Sequence, residues 1–183
     1  MRRILKSCAL WKRKRPNKKE SRKLGELREK HKEQSLFTTQ NTCNMRYMLD
    51  TCTFLYFARD FDCLDNNVAE ILRDSSNVLC VSAETACELV QGFNCGKFTS
   101  KRWKTSQDLV HYLDEFGIQI LPIDRKVIDT YSHLEINIAQ DHKDPFDHVI
   151  IAHAITTKIP LISSDHKFKF YRAQGLDLVY NTK

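Results

Sequence analysis

The sequence predicts an α/β protein: a parallel sheet covered by helices on both faces. Two patterns predict it. Short, fully apolar runs of strand length recur along the chain, and between them lie segments of about 10–14 residues whose apolar positions follow helical spacing. Composition agrees. In 183 residues, 42% are hydrophobic and 28% charged, with Gly at 5 and Pro at 4. These values exclude collagen-like, low-complexity and wholly disordered chains. No run of about 18 apolar residues exists, so no transmembrane helix is expected.

Each element has its own signal. Arg46–Leu49 (RYML) is a short apolar strand that ends at Asp50, and Thr51–Arg59 follows as a helix. Asp65 caps a helix through Asn66–Arg73, with Val68, Ile71 and Leu72 on one face. Val78–Val81 (VLCV) is a strand, and Ser82 caps a helix to about Phe93, broken by Gly92, Asn94 and Gly96. Ser106–Glu115 is amphipathic, with Leu109, Val110, Leu113 and Phe116 spaced as a core face. Gln119–Leu121 is a strand stopped by Pro122, and Asp124–Ser132 a helix presenting Val127, Ile128 and Tyr131. Asp144–Thr157 is a strong helix with Asp144 at the N-cap and Pro145 at N1. Pro160–Ser163 and Leu178–Tyr180 are the last strands.

Charge divides the chain in two. The net charge is +6, from 29 Lys+Arg against 23 Asp+Glu. Residues 1–44 carry 14 basic and 4 acidic residues; residues 45–183 carry 15 and 19. The basic character is a property of the tail, and the rest is mildly acidic. The tail is dense in like charge and sparse in apolar residues, so the expectation is a disordered extension or a start-site artefact. An RNA- or partner-binding arm is the competing reading. A compact domain is expected over 45–183. Seven cysteines fall without a C-x-x-C pair, and Cys52, Cys80 and Cys87 lie in apolar runs. They read as reduced core residues in a cytoplasmic protein rather than a zinc site.

In open parallel sheets, ligands sit beyond the carboxyl ends of the strands. Three strands deliver an acid there: Asp50, then Glu84 and Glu88 on the helix after Val78–Val81, then Asp165 after Pro160–Ser163. The helix from Asp144 opens with Asp144 and Asp147. Carboxylates brought together do not all stay ionised without a positive partner. Oxygen-only sites suit Mg²⁺ or Mn²⁺, ions that serve phosphodiester hydrolysis. Each acid also has a structural reading: Asp50 and Asp144 as helix caps, Asp147 and Glu84 as first-turn charges favouring the helix dipole, Asp165 as a turn residue. Glu88, flanked by Cys87, Leu89 and Val90, is harder to place on a surface.

Four segments carry a resemblance. LDTCTFLYF (Leu49–Phe57), VSAETACELVQGFNCGK (Val81–Lys97), HKDPFDHVIIAHA (His142–Ala154) and LISSD (Leu161–Asp165) occur in the order of a PIN-domain ribonuclease. The chain most resembles the VapC-like toxins of toxin–antitoxin pairs, over nearly all of residues 45–183 and none of 1–44. The resemblance implies a three-layer α/β/α sandwich and an Mg²⁺- or Mn²⁺-dependent endoribonuclease. It further implies a homodimer held by a cognate antitoxin. Asp50, Glu88, Asp147 and Asp165 take the places of the family's catalytic, metal-binding acids, with Asp165 acting on water. Thr53 and Ser163 take the places of hydroxyls that orient the site, and Asp144 adds a further charge. His148 and His153 depart from the Arg and Gln common at those places, and Ser164 from a basic residue.

An acid cluster repels RNA, so positive charge must hold it elsewhere. Lys97, Lys101, Arg102 and Lys104 around Trp103 are candidate RNA contacts, with Trp103 either stacking a base or tucked into the core. The histidines His142, His148, His153 and His166 read as local packing or rim contacts. Phe54, Tyr56, Phe57 and Phe61 read as core first and as a partner-binding face second. The competing functional class is a non-catalytic RNA- or antitoxin-binding protein of the same fold. A phospho-acceptor domain is disfavoured by the lack of a Gly-rich phosphate loop. A flap nuclease is disfavoured by the short chain.

Overall fold

The fold is described from a computed structural model, which covers residues 44–136, 138 and 142–183. The basic extension over 1–44 lies almost wholly outside the described residues. Five strands form one parallel sheet: β1 (Arg46–Leu49), β2 (Val78–Ser82), β3 (Gln119–Leu121), β4 (Leu161–Ser163) and β5 (Leu178–Tyr180). Their order is β3-β2-β1-β4-β5. The chain first winds from β1 out to β3, then returns across β1 to β4. The sheet therefore reverses direction between β1 and β4, the place where parallel sheets open a ligand crevice.

Helix α1 (Thr51–Arg59), α2 (Asn66–Arg73), α3 (Ala83–Asn94) and α4 (Ser106–Glu115) belong to the outward path. Helix α5 (Arg125–His133), α6 (Pro145–Thr157) and the 3₁₀ segment His166–Gln174 belong to the return. Alternate strand residues feed two cores. Leu49, Val81 and Ile162 pack with Phe54, Phe57, Leu72, Leu89 and Leu113. Met48, Cys80 and Leu161 pack with Ile150, Ile151, Phe168 and Tyr171. The result is the three-layer α/β/α sandwich. Among the described residues no helix is long and apolar enough to cross a membrane.

Local chemistry sets the helix starts. Asp50 accepts from Thr53 N, Asp65 from Val68 N, Ser82 from Glu84 N, Asp124 from Val127 N and Asp144 from Phe146 N. Thr105 and Asp108 form a reciprocal capping box on α4. Helix α3 runs through Gly92 rather than breaking there. A Cβ at that position would lie 2.7 Å from the Phe98 ring, so the glycine serves close packing. The break falls at Gly96, whose φ of +67° is the left-handed region.

Three residues expected in the core lie on the surface. Val110 and Ile128 are exposed, and Tyr112 takes the place expected for Val110. Cys87 is also exposed rather than in the core, whereas Cys80 is buried and Cys52 intermediate. Among the described residues no two cysteines form a disulfide with one another.

Candidate active site

The end of β1 delivers Asp50 into a nearly closed environment, 6% exposed. Its Oδ1 accepts from Thr53 N at 2.6 Å, and its Oδ2 accepts from the Ser163 hydroxyl at 2.5 Å. The same Ser163 oxygen accepts from Asp165 N at 3.0 Å, and Asp165 Oδ1 accepts from Lys167 N at 2.9 Å. Asp165 thus caps the 3₁₀ segment while standing beyond the end of β4. The Thr53 hydroxyl donates to the Ile162 carbonyl at 3.0 Å, tying α1 to β4. Thr53 and Ser163 thus both orient Asp50, Thr53 through its backbone amide as well as its side chain and Ser163 through its hydroxyl.

Glu88 is half-buried on the second turn of α3, and its Oε2 accepts from the Thr51 hydroxyl at 2.6 Å. Asp147, on the first turn of α6, faces His142 Nε2 at 3.1 Å. One ligand atom each from His142, Asp147 and Asp165 lies within 4.8 Å of the others.

The electrostatics tie the remaining acids to this group. Burial pushes Asp50 up to about 6, against the hydrogen bonds from Ser163 and Thr53, and the charge of Asp147 adds to the rise. Burial pushes Glu88 up to about 7, opposed by the Thr51 hydroxyl and reinforced by Asp147, Asp144 and Asp50. Glu84 is raised by burial and then by Asp144. Carboxylates that resist ionisation in each other's presence are a donor set that a hard divalent cation fits. Aggregated negative charge is what such an ion offsets.

A PIN-domain model matches residues 47–174, well over half of the chain. The chain belongs to the PIN domain family. The PIN-domain fold is matched in solved structures. VapBC2 from Rickettsia felis, bound to a DNA fragment from their promoter, is 26% identical with a TM-score of 0.56, covering 75% of this chain and 99% of that one. VapBC-1 from nontypeable Haemophilus influenzae is 22% identical with a TM-score of 0.55, over 76% and 100%. VapBC-5 from Mycobacterium tuberculosis, a member of the VapBC family of toxin–antitoxin systems, is 21% identical with a TM-score of 0.50, over 74% and 98%. No curated protein sequence matches the chain.

Within this PIN domain, Asp50, Glu88, Asp144, Asp147 and Asp165 converge on the carboxyl end of the sheet around β1 and β4. Trp103 does not present its ring to a ligand. It is 2% exposed, stacked on Phe54 at 6.2 Å and edge-on to Tyr112 at 5.3 Å. It is a core residue, tucked in rather than open to stack a base. Lys101, Arg102 and Lys104 remain on the surface, and Lys97 is half-buried.

The histidines are not rim residues, with His166 the exception. His142, His148 and His153 are all buried. His153 Nδ1 meets the Ser82 hydroxyl at 2.9 Å, linking α6 to the cap of α3. Three residues of the site carried no signal strong enough to single them out. Thr51, one step from Asp50, carries in the sequence only the signal of a helix start. Tyr171 lies in a segment without periodicity. His142, beside the DPFD motif, carries in the sequence only a signal for packing or a rim contact.

Proposed function

We propose that this PIN domain is a metal-dependent endoribonuclease that hydrolyses RNA phosphodiester bonds and acts as the toxin of a toxin–antitoxin pair. The observation that carries the reading is the convergence of Asp50, Glu88, Asp147 and Asp165 at the switch between β1 and β4, with Asp50 and Glu88 raised by burial and by their acidic neighbours. Mg²⁺ or Mn²⁺, when bound, supplies positive charge toward a phosphate and makes a water more acidic.

The chain's own residues do the rest. Asp50, Asp147 and Glu88 would hold the ion. Ser163 and the Thr53 amide fix the Asp50 carboxylate, and Thr51 fixes Glu88. Asp165, anchored by the Lys167 amide, would accept a proton from the attacking water. Asp144 caps α6 and adds negative charge at the edge of the site. Lys97, Lys101, Arg102 and Lys104 supply the charge that holds the RNA backbone. The likeness to VapBC2 from Rickettsia felis supports an antitoxin as partner; a homodimer is the assembled form proposed with it. The nuclease unit is residues 45–183, with residues 1–44 as a basic extension.

The full chain, incubated with RNA and Mg²⁺ or Mn²⁺, is expected to cleave. Chelator, Asp50→Asn and Asp147→Asn are each expected to abolish cleavage. Equal cleavage by all preparations would reveal a contaminating nuclease and sink the proposal. RNA binding without turnover under either metal would establish the non-catalytic reading instead.

A further inference from the structure

A buried chain of three side chains leads from the second core to the acid on α6. His148 Nε2 meets the Tyr171 hydroxyl at 2.8 Å, and the same hydroxyl meets His142 Nδ1 at 2.9 Å. His142 Nε2 then meets Asp147 Oδ2 at 3.1 Å. His142 is 1% exposed, His148 2% and Tyr171 0%, so water does not stand in for any partner. The rings pack edge-on: His142 to His148 at 4.6 Å and His142 to Tyr171 at 5.4 Å.

The proton inventory gives this chain a direction. An ionised carboxylate only accepts, so His142 Nε2 must carry the proton it presents to Asp147. In a neutral imidazole, Nδ1 is then a bare acceptor, and the Tyr171 hydroxyl must donate to it. A phenol has one proton. Its oxygen is left to accept, so His148 must present Nε2–H. With His142 neutral and Asp147 ionised, the order is His148 to Tyr171 to His142 to Asp147, with each donor aimed at the acid.

From this we infer that His142 and Tyr171 are positioning residues that hold the Asp147 carboxylate in its metal-binding orientation, with Tyr171 fixing the tautomer of His142. The inference rests on the reading of Asp147 as a metal-binding acid. It makes His142 a partner of the acid rather than a ligand itself, although its ring nitrogen lies within 4.8 Å of both Asp147 and Asp165 donor atoms. Outer partners that orient a ligand typically govern about 10- to 100-fold in metal affinity.

Nitrogen-15 NMR of the full chain, with histidines assigned through single variants, reads the tautomers without any turnover. The expected result is a protonated Nε2 and unprotonated Nδ1 on His142, unchanged when Mg²⁺ is added. A proton on Nδ1, or loss of the Nε2 proton on adding Mg²⁺, would overturn the inference; the latter would make His142 a direct ligand. In parallel, Mn²⁺ affinity is measured by electron paramagnetic resonance for wild type, His142→Leu, His142→Gln and Tyr171→Phe, with circular dichroism confirming that each is folded.

His142→Leu is expected to weaken Mn²⁺ binding about 10- to 100-fold. His142→Gln retains a donor at the same reach and is expected to recover most of that loss. Tyr171→Phe is expected to cost about tenfold. Wild-type affinity in folded His142→Leu overturns the positioning role while leaving the nuclease reading intact. If the wild type neither binds Mn²⁺ nor cleaves RNA, the nuclease reading fails and the positioning role falls with it.

Discussion

The Ser163 hydroxyl donates to Asp50 Oδ2 at 2.5 Å, although the two residues are 113 positions apart. The bond joins the ends of β4 and β1 at the point where the sheet reverses direction. It holds one acid of the site and, through the amide of Asp165, a second. Ser163→Ala leaves both the Asp50 oxygen and the Asp165 amide short of a partner. A stability loss of about 1–3 kcal/mol is expected. Because this hydrogen bond lowers the Asp50 pKa, its removal is expected to move the onset of metal binding to higher pH. Mn²⁺ titrations at several pH values check this; an unshifted onset would show that Ser163 does not tune Asp50.

Asp50→Asn separates the cost of the acid from its use. Asparagine caps a helix about as well as aspartate, so α1 is expected to keep its start. In the folded protein Asp50 is raised from 3.8 to about 6. Its contribution to stability is therefore complete below about pH 3.8 and lost as pH rises through about 6. In the metal-free protein, Asp50→Asn is expected to gain on the wild type across that window, by on the order of 1–3 kcal/mol at neutral pH, while losing cleavage. Urea denaturation in chelator from pH 4 to 7.5 checks the sign; a gap that narrows with rising pH would contradict it.

His153 gives the opposite dependence. Burial lowers its pKa below 6.5, with the charge of Asp124 opposing weakly. Its contribution is present above about 6.5 and lost as pH falls through the lowered value. His153→Gln keeps a polar partner for Ser82 without a proton to take up. The variant is expected to resist acid better than the wild type, seen as melting temperatures that diverge between pH 7.5 and 5. Parallel curves would assign the acid sensitivity elsewhere.

Trp103 and its basic neighbours are expected to behave differently from one another. Trp103→Ala removes a core ring stacked on Phe54 and should cost about 3–5 kcal/mol, measured by denaturant unfolding. Lys101→Glu with Arg102→Glu should leave stability nearly unchanged, weaken RNA binding and flatten its salt dependence. Equal RNA affinity in the charge-reversed protein would place the RNA path on another face.

The elements were legible because their signals are local. Asp65, Ser82 and Asp144 mark helix starts through bonds to amides two or three residues away, and those starts hold. The apolar stripes in the sequence are broader than the buried helix faces. Val110 and Ile128 share helical spacing with true core residues, but each layer covers only part of that stripe, so both face solvent. The acids of the site were legible one at a time, from their places after strands and in the DPFD segment. Their partners were not, since Thr51 reaches Glu88 across 37 residues and Tyr171 reaches His142 across 29.

By itself, the sequence determined the α/β class, the order of elements and the acids that the strands and α6 carry to one edge. Periodicity and capping act over a single turn or strand, so they can be read without knowing what lies beside them. Only the tertiary structure decided that the sheet runs β3-β2-β1-β4-β5, that Ser163 holds Asp50, that Trp103 is core, and that His142 is held between Tyr171 and Asp147. Those facts depend on strand order and on which buried polar groups must satisfy one another, a condition the packed molecule imposes on residues far apart in the chain.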